Sequence, residues 1–145
     1  MEIRKAEIRD LDVVSELACR LWPDHTEAEM QTEMAEIMAK SDAAFFLAFE
    51  EAHAVGFAQC QLRRDYVEGT DGSPVGYLEG IYVSEGFRKQ GIARELLKAC
   101  ESWVREMGCR EFASDCELTN QESLKFHLNV GFSEVNRIIC FVKKL

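Results

Sequence analysis

Proline and glycine are scarce in this sequence, and no long apolar run is present. Only 2 of the 145 residues are proline and 9 are glycine, which excludes a collagen-like or linker-like chain. The longest apolar run, Ala43 to Phe49, is far too short to span a bilayer. The first residues lack the apolar stretch of a secretory signal. We therefore expect a cytoplasmic protein with no membrane partner.

Basic residues are also under-represented, at 17 against 26 acidic ones, for a net charge of −9. Non-specific binding to nucleic acid needs a basic face, so we expect no nucleic-acid partner. A negative surface attracts cationic ligands, although it also serves plain solubility.

The six cysteines lack the close spacing of metal ligands. No CxxC or CxxH pair occurs among them, and we expect no metal cofactor. Most of them lie in apolar runs, where a reduced thiol behaves as a small hydrophobe.

The pattern of apolar residues predicts a mixed α/β fold, with one domain over residues 1–145. A strand, a turn with glycine, a helix and a further strand form a crossover unit, so two strands should be parallel. Asp10 should cap the first helix, and Thr26 with Glu29 should form a capping box ahead of the second. The predicted strands are Ile3–Ala6, Ala43–Phe49, Ala54–Leu62, Val75–Val83, Glu111–Cys116 and Phe132–Val142. The predicted helices are Leu11–Leu21, Glu27–Ala39, Ile92–Met107 and Thr119–Asn129.

The most informative segment is the turn between the Val75–Val83 strand and the next helix. A helix start offers free backbone N–H groups and the positive end of a dipole, both suited to phosphate. Gly91 lets a ligand approach the backbone closely. Three basic side chains surround it: Arg88, Lys89 and Arg94. The spacing matches neither the P-loop nor the dinucleotide pattern, so the residues alone fit a phosphate site or an ordinary helix start equally.

The run Arg88-x-x-Gly91-x-Ala93 resembles the acetyl-CoA motif of the GNAT acetyltransferases. Strand order, length and the late pair Gly131-Phe132 agree with that family. The resemblance implies a GNAT fold, with a central mixed sheet flanked by helices, and acetyl-CoA as co-substrate.

The same resemblance implies which residues hold the coenzyme. The backbone of Ile81, Tyr82 and Val83 should bind the acyl and pantetheine groups. The residues of the turn should bind the pyrophosphate; they are Arg88, Lys89, Gln90, Gly91, Ile92, Ala93 and Arg94. Asn120 should contact the coenzyme as well, although it could equally be a helix cap.

Two longer stretches, Arg64–Thr70 and Ser73–Ile81, resemble the aminoglycoside 6'-N-acetyltransferases, as does Trp22-Pro23. This resemblance implies transfer of acetyl from acetyl-CoA to the 6'-amine of antibiotics such as kanamycin or tobramycin, and hence resistance. Two alternatives stay open. One is an acetyltransferase for another amine, such as a polyamine or a protein N-terminus; the other is a non-catalytic acyl-CoA-binding module.

A site for a polycation needs carboxylates and an aromatic wall. Glu79 and Asp115 are the candidate amine binders and bases, because the family geometry brings both strand segments to the thioester. An exposed edge position for Glu79 and a strand-end turn for Asp115 are the alternatives. The expected wall comprises Trp22, His25 and Tyr66, although Trp22 could equally be core packing and His25 a loop residue with no role.

Three further expectations concern the end of the chain. His127 occupies the place where many members of the family carry a tyrosine that protonates the thiolate, but it could be a half-buried helix residue. Asn136 should complete the substrate site, or it is a surface strand residue. The family also implies a homodimer, with contacts through the loop Arg63–Pro74 and the late strands.

Overall fold

The computed structural model describes residues 1–145 and confirms the predicted mixed α/β architecture. The strands are β1 (Glu2–Lys5), β2 (Ala43–Glu50), β3 (His53–Arg63), β4 (Val75–Val83) and β5 (Phe112–Ala113). The helices are α1 (Leu11–Leu21), α2 (Glu27–Met38), α3 (Ile92–Glu106) and α4 (Gln121–Asn129), with short 3₁₀ turns at Ile8–Asp10 and Glu85–Phe87. None of these helices is both long and apolar enough to cross a membrane.

The strands form one mixed sheet in the order β1-β2-β3-β4-β5. The first four strands pair antiparallel with one another, and β5 lies parallel to β4 after the α3 crossover, as predicted. Only Gly76 with Phe112 and Tyr77 with Ala113 pair between β4 and β5. Residues 78–83 of β4 therefore continue without a strand neighbour on that edge.

Helices cover both faces of the sheet. In β3, Phe57 joins the core formed with α1 and α2, whereas Ala58 and Cys60 join the larger core around α3. This alternation is the period of two expected of a strand buried on both faces. Packing on both faces therefore fixes the sheet, and the unpaired part of the β4 edge has a defined position.

Local side-chain hydrogen bonds fix the chain ahead of α1 and α2, but only α2 begins with a capping box. The Thr26–Glu29 capping box is confirmed, with both reciprocal hydrogen bonds present. Asp10 does occupy the N-cap position of α1, but its side chain makes no capping bond there. It accepts from the Glu7 N–H and from Arg4 instead, because a 3₁₀ turn precedes the helix.

The predicted final strand, Phe132–Val142, is wrong. These residues have no regular secondary structure, and all of them after the half-buried Phe132 are exposed, with Phe141 at 90% and Val142 at 93%. A strand needs a hydrogen-bonded neighbour, and no other part of this chain pairs with the segment. For the same reason the predicted Glu111–Cys116 strand shrinks to Phe112–Ala113, where β4 is within reach.

Candidate active site

The turn between β4 and α3 exposes a row of backbone N–H groups. Lys89 has a φ of 63° and Gly91 a φ of 84°, both in the left-handed region that makes the turn tight. The backbone N–H groups from Lys89 to Gly91 donate to no backbone oxygen of the chain, and the first three of α3 have no acceptor within the helix. A Cβ at Gly91 would meet no atom within 4 Å. The turn can therefore accept an anionic group against its backbone.

The two arginines near this turn brace it. Arg88 Nε donates to the Val83 carbonyl at 2.7 Å, and its guanidinium carbon lies 5.5 Å from the centre of the Tyr82 ring. Arg94 Nη2 donates to the Asn129 carbonyl at 3.3 Å, which ties the start of α3 to the end of α4. Their positive charge stays beside the free N–H groups.

Asn120 is the N-cap of α4, one of its two expected roles. Its Oδ1 accepts from the Ser123 N–H at 3.1 Å. The side-chain amide Nδ2 has no partner in the chain. The cap thus fixes the amide in place with its donor end free, and contact with the coenzyme stays a prediction.

The unpaired edge of β4 leads from this turn towards β5. Ile81, Tyr82 and Val83 lie on it, beyond the last β4–β5 pair. Where the pairing ends, Ser114 Oγ reaches the Leu78 carbonyl at 3.5 Å. Free strand groups of this kind can pair with an extended, amide-containing ligand.

Glu79 lies in a bulge of β4. Gln59 pairs with Gly80 and Cys60 with Leu78, so Glu79 has no partner in the β3 register. Its half-buried carboxylate is held by Arg63, whose Nε donates to Oε2 at 2.9 Å and whose Nη2 donates to Oε1 at 2.7 Å. This hydrogen-bonded pairing raises the pKa of Arg63. The partner that a Glu on a strand requires is therefore present.

Asp115 is exposed directly after β5, and it accepts a hydrogen bond from the Tyr77 hydroxyl. Tyr77 is only 7% exposed. Burial, and then the bond to Asp115, raise the pKa of Tyr77 well above its usual range, so the phenol stays protonated and donates. The Arg63 guanidinium carbon lies 3.4 Å from the centre of the Tyr77 ring. Glu79, Arg63, Tyr77 and Asp115 therefore form one cluster, which contains both predicted carboxylates.

Sequence reasoning missed Arg63 and Tyr77, which join this cluster. Tyr77 and Glu79 are two residues apart on one strand, and this spacing favours side chains on the same face. The sequence could therefore have indicated that Tyr77 lies near Glu79. Arg63 ends β3 beyond a long hairpin loop, and nothing local indicates that it faces them.

Trp22 packs beside the bulge. Its ring meets Phe57 edge to face, with centroids 6.1 Å apart, and it covers Gly80, where a Cβ would approach the indole to 2.6 Å. His25 is exposed, and Tyr66 is 79% exposed. The structure thus brings Trp22 to the strand that carries Glu79, whereas His25 and Tyr66 have no side-chain hydrogen bond and remain candidates.

His127 on α4 is half-buried and has both ring nitrogens engaged. Nδ1 lies 2.7 Å from the Ser123 carbonyl oxygen and Nε2 lies 2.7 Å from Ser114 Oγ. A carbonyl oxygen can only accept, so Nδ1 carries the proton and, in the neutral ring, Nε2 accepts from the Ser114 hydroxyl. His127 thus reaches the end of β5 through Ser114, a residue that sequence reasoning also missed.

Asn136 lies in the exposed segment after α4 and contacts the loop between β3 and β4. Its Nδ2 donates to Glu68 Oε1 at 2.6 Å. The preceding Val135 covers Gly69, whose Cβ would approach it to 2.7 Å. Asn136 is a surface residue, which agrees with one of its two expected roles, but it does not lie in a strand. Its place in a substrate site stays a prediction.

Comparison with known proteins shows the family of this chain. The model of the acetyltransferase (GNAT) family matches residues 11–132. The aminoglycoside N(6')-acetyltransferase type 1 of Salmonella typhimurium is 40% identical over 144 residues, which cover 99% of each chain.

Two solved structures share the fold over nearly the whole chain. The apo aminoglycoside 6'-N-acetyltransferase AAC(6')-Ig of Acinetobacter haemolyticus is 37% identical with a TM-score of 0.94, covering 100% of this chain and 99% of that one. AAC(6')-Iy in complex with the bisubstrate analogue CoA-S-monomethyl-acetylneamine is 38% identical with a TM-score of 0.95, covering 99% and 98%. This chain belongs to the GNAT acetyltransferase family.

Proposed function

We propose that this protein transfers the acetyl group of acetyl-CoA to the 6'-amine of aminoglycosides of the kanamycin and tobramycin type, and so gives resistance to them. The observation that carries the proposal is the cluster of Glu79 and Asp115 beside the unpaired edge of β4. The anion-accepting turn lies at the end of that same strand. One strand thus connects a site for a cationic amine with a site for a pyrophosphate, which supports acyl transfer between the two.

The coenzyme half of the reaction depends on the turn before α3. The N–H groups of Lys89 to Arg94 hold the pyrophosphate, and the backbone of residues 81–83 pairs with the pantetheine arm and the acyl group. Asn120 offers its free amide to the coenzyme from the start of α4. These assignments fit the open space at Gly91, which a side chain would fill.

In the amine half, the substrate arrives as an ammonium and must lose a proton before it can attack. Glu79 and Asp115 hold the cation, and one of them accepts the proton directly or through a water. The neutral amine then attacks the thioester carbonyl carbon and the C–N bond forms. The attached nitrogen gives up its second proton to the solvent, the C–S bond breaks, and coenzyme A leaves as a thiolate. Trp22, His25, Tyr66 and Asn136 complete the surface that receives the sugar rings.

We place the proton for the departing thiolate on the Ser114 hydroxyl. When His127 is protonated, Nε2–H donates to Ser114 Oγ, and the Ser114 proton turns to the Leu78 carbonyl at the edge of β4, from where it can pass to the thiolate. The thiolate takes that proton, and His127 replaces it. His127 therefore acts through Ser114, whose oxygen lies at the end of the β4–β5 pairing.

We also propose a cytoplasmic homodimer, built from residues 1–145 as a single acetyltransferase domain. All six cysteines are free thiols, which suits a reducing compartment. The exposed apolar residues of the last segment support a second copy as the covering surface, together with the loop it contacts. Light scattering at micromolar concentration should give twice the chain mass, and a monomer mass would refute the dimer.

The deciding experiment offers acetyl-CoA with a panel of amines and detects the released thiol. Kanamycin and tobramycin should react, with mass spectrometry and NMR placing the acetyl group on the 6'-nitrogen. Spermidine and a peptide with a free N-terminus represent the alternative acetyltransferases. If no amine reacts while calorimetry still detects acetyl-CoA binding, the protein is a non-catalytic coenzyme-binding module and the proposed activity is wrong.

A further inference from the structure

Two residues outside the proposed substrate-contacting set connect the two carboxylates of the site. Arg63 makes a two-point hydrogen-bonded ion pair with Glu79, at 2.9 and 2.7 Å. Its guanidinium stacks on Tyr77, and Tyr77 donates its hydroxyl proton to Asp115. The four side chains form a continuous chain from one carboxylate to the other.

The two carboxylates differ in what remains available to a ligand. Both oxygens of Glu79 accept from Arg63, and the positive charge of that guanidinium offsets the Glu79 charge. Asp115 accepts at Oδ2 from a neutral donor, so it has no ion-pair partner in contact and Oδ1 is unengaged; the charge of Arg63 acts on it only from a distance. Asp115 is also the exposed member of the pair.

We propose that Arg63 and Tyr77 are positioning residues that reserve Glu79 for orientation and present Asp115 as the carboxylate that takes the proton from the amine. This inference rests on the proposed function. Arg63 fixes the Glu79 carboxylate and the Tyr77 ring together, and Tyr77 fixes the direction in which the open oxygen of Asp115 points. The buried position of Tyr77 makes this direction rigid.

Three variants separate the contacts. Arg63→Met removes the guanidinium charge, and Arg63→Lys keeps the charge but loses the planar two-point geometry. Tyr77→Phe keeps the ring beneath Arg63 and removes only the bond to Asp115.

Arg4→Lys is the matched control. Arg4 also makes a two-point pair with a carboxylate, Asp10, and stacks on an aromatic ring, Phe49, near the start of the chain. The Arg4→Lys variant therefore loses the same kinds of contact at a place outside the candidate site.

Steady-state kinetics with kanamycin provide the first readout. Arg63→Met and Tyr77→Phe should each lower kcat roughly tenfold, and Arg63→Lys should restore only part of the loss. The KM for kanamycin should not rise in Arg63→Met, because the lost charge is positive and the ligand is cationic. Calorimetric acetyl-CoA stoichiometry gives the folded fraction, and Arg4→Lys should retain the parent kcat for each folded molecule. Parent kcat values in Arg63→Met and Tyr77→Phe would overturn the proposal.

A second readout does not depend on activity. In protein labelled with ¹³C at the aspartate carboxyl groups, the resonance of Asp115 is identified by its loss in Asp115→Asn. It should move in Tyr77→Phe, which removes the bond to Asp115, and in Arg63→Met, which removes both the support of the Tyr77 ring and a positive charge near Asp115, but not in Arg4→Lys. If the Asp115 resonance is unchanged in both Tyr77→Phe and Arg63→Met, neither residue positions Asp115 and the proposal is overturned. If the parent acetylates no aminoglycoside, the proposed function fails and this resonance alone decides whether the positioning contacts are present.

Discussion

The two halves of the candidate site are built from different parts of the chain. The coenzyme half consists mostly of backbone: N–H groups of the turn before α3 and the free edge of β4. The amine half consists of side chains: the carboxylates of Glu79 and Asp115, with Trp22 beside them. The first half should tolerate most changes of side chain and fail where the backbone itself is obstructed, whereas the second should respond to the loss of a single charge.

Gly91→Glu should have the largest effect. The new side chain would enter the space at the turn and bring negative charge to the proposed pyrophosphate site, so calorimetry should detect no acetyl-CoA binding. Gly108→Glu is the control at the other end of α3, where the glycine also has a positive φ, 88°, and open space. It carries the same backbone strain, and it should bind acetyl-CoA like the parent. Normal binding by Gly91→Glu would show that the pyrophosphate site is elsewhere.

Asp115→Asn and Glu79→Gln keep the shape of each side chain and remove its charge. A charge-assisted contact contributes about 1.5–3 kcal/mol, so kcat/KM for kanamycin or tobramycin should fall roughly tenfold to a hundredfold in each variant. The affinity for acetyl-CoA should stay at the parent value, because neither carboxylate belongs to the coenzyme half. If both variants acetylate these drugs like the parent, the amine site lies elsewhere.

Gly80→Ala tests whether the place of Trp22 matters to the drug. The added Cβ would lie 2.6 Å from the indole and force it away from β4, which should raise the KM for kanamycin severalfold, on the order of 1 kcal/mol of binding. Gly76→Ala is the control, because its Cβ would crowd Val104 of α3 on the same strand. Both should lose about 1–3 kcal/mol of stability by overcrowding, but only Gly80→Ala should change KM. Equal KM values would remove Trp22 from the substrate wall.

His127→Asn and Ser114→Ala test the route of the last proton. Each should lower kcat roughly threefold to tenfold, a small effect for proton transfer because a thiolate leaves readily. The double variant should be no slower than the slower single variant, since the two residues act as one unit. Losses that multiply in the double variant would show that the two act separately.

Asp10→Asn should change stability and leave activity unchanged. Arg4 lowers the pKa of Asp10 from 3.8 to about 2 in the folded protein. The carboxylate therefore stabilises the fold above the unfolded pKa, by about 2 kcal/mol, and this contribution is lost as the pH falls towards 2. Urea unfolding should show this deficit in the variant at pH 7 and little difference from the parent near pH 2. A constant deficit at both pH values would mean that the pair does not titrate as described.

Local signals predicted much of this fold. The β4 boundaries follow from the apolar run between a polar loop and a polar turn, and the Thr26–Glu29 box follows from four adjacent residues. The turn proposed to hold the coenzyme could be predicted as a turn for the same reason, since strand, turn and helix are contiguous in the chain.

Non-local pairing explains what could not be predicted. The bond between Arg63 and Glu79 depends on the β3–β4 register and on the bulge at Glu79, and neither can be read from the sequence. The apolar alternation of residues 132–142 is typical of a strand, and it led to a wrong prediction because it cannot supply the neighbour that a strand needs.

The exposed apolar side chains at the end of the chain have a consequence for thermodynamics. Ile139, Phe141 and Val142 transfer little surface out of water when the single chain folds. In the proposed dimer they would contribute only on association, and their stabilisation would follow mass action. The melting temperature should then rise with protein concentration, and molecules diluted for an assay would be less stable than the same molecules at higher concentration.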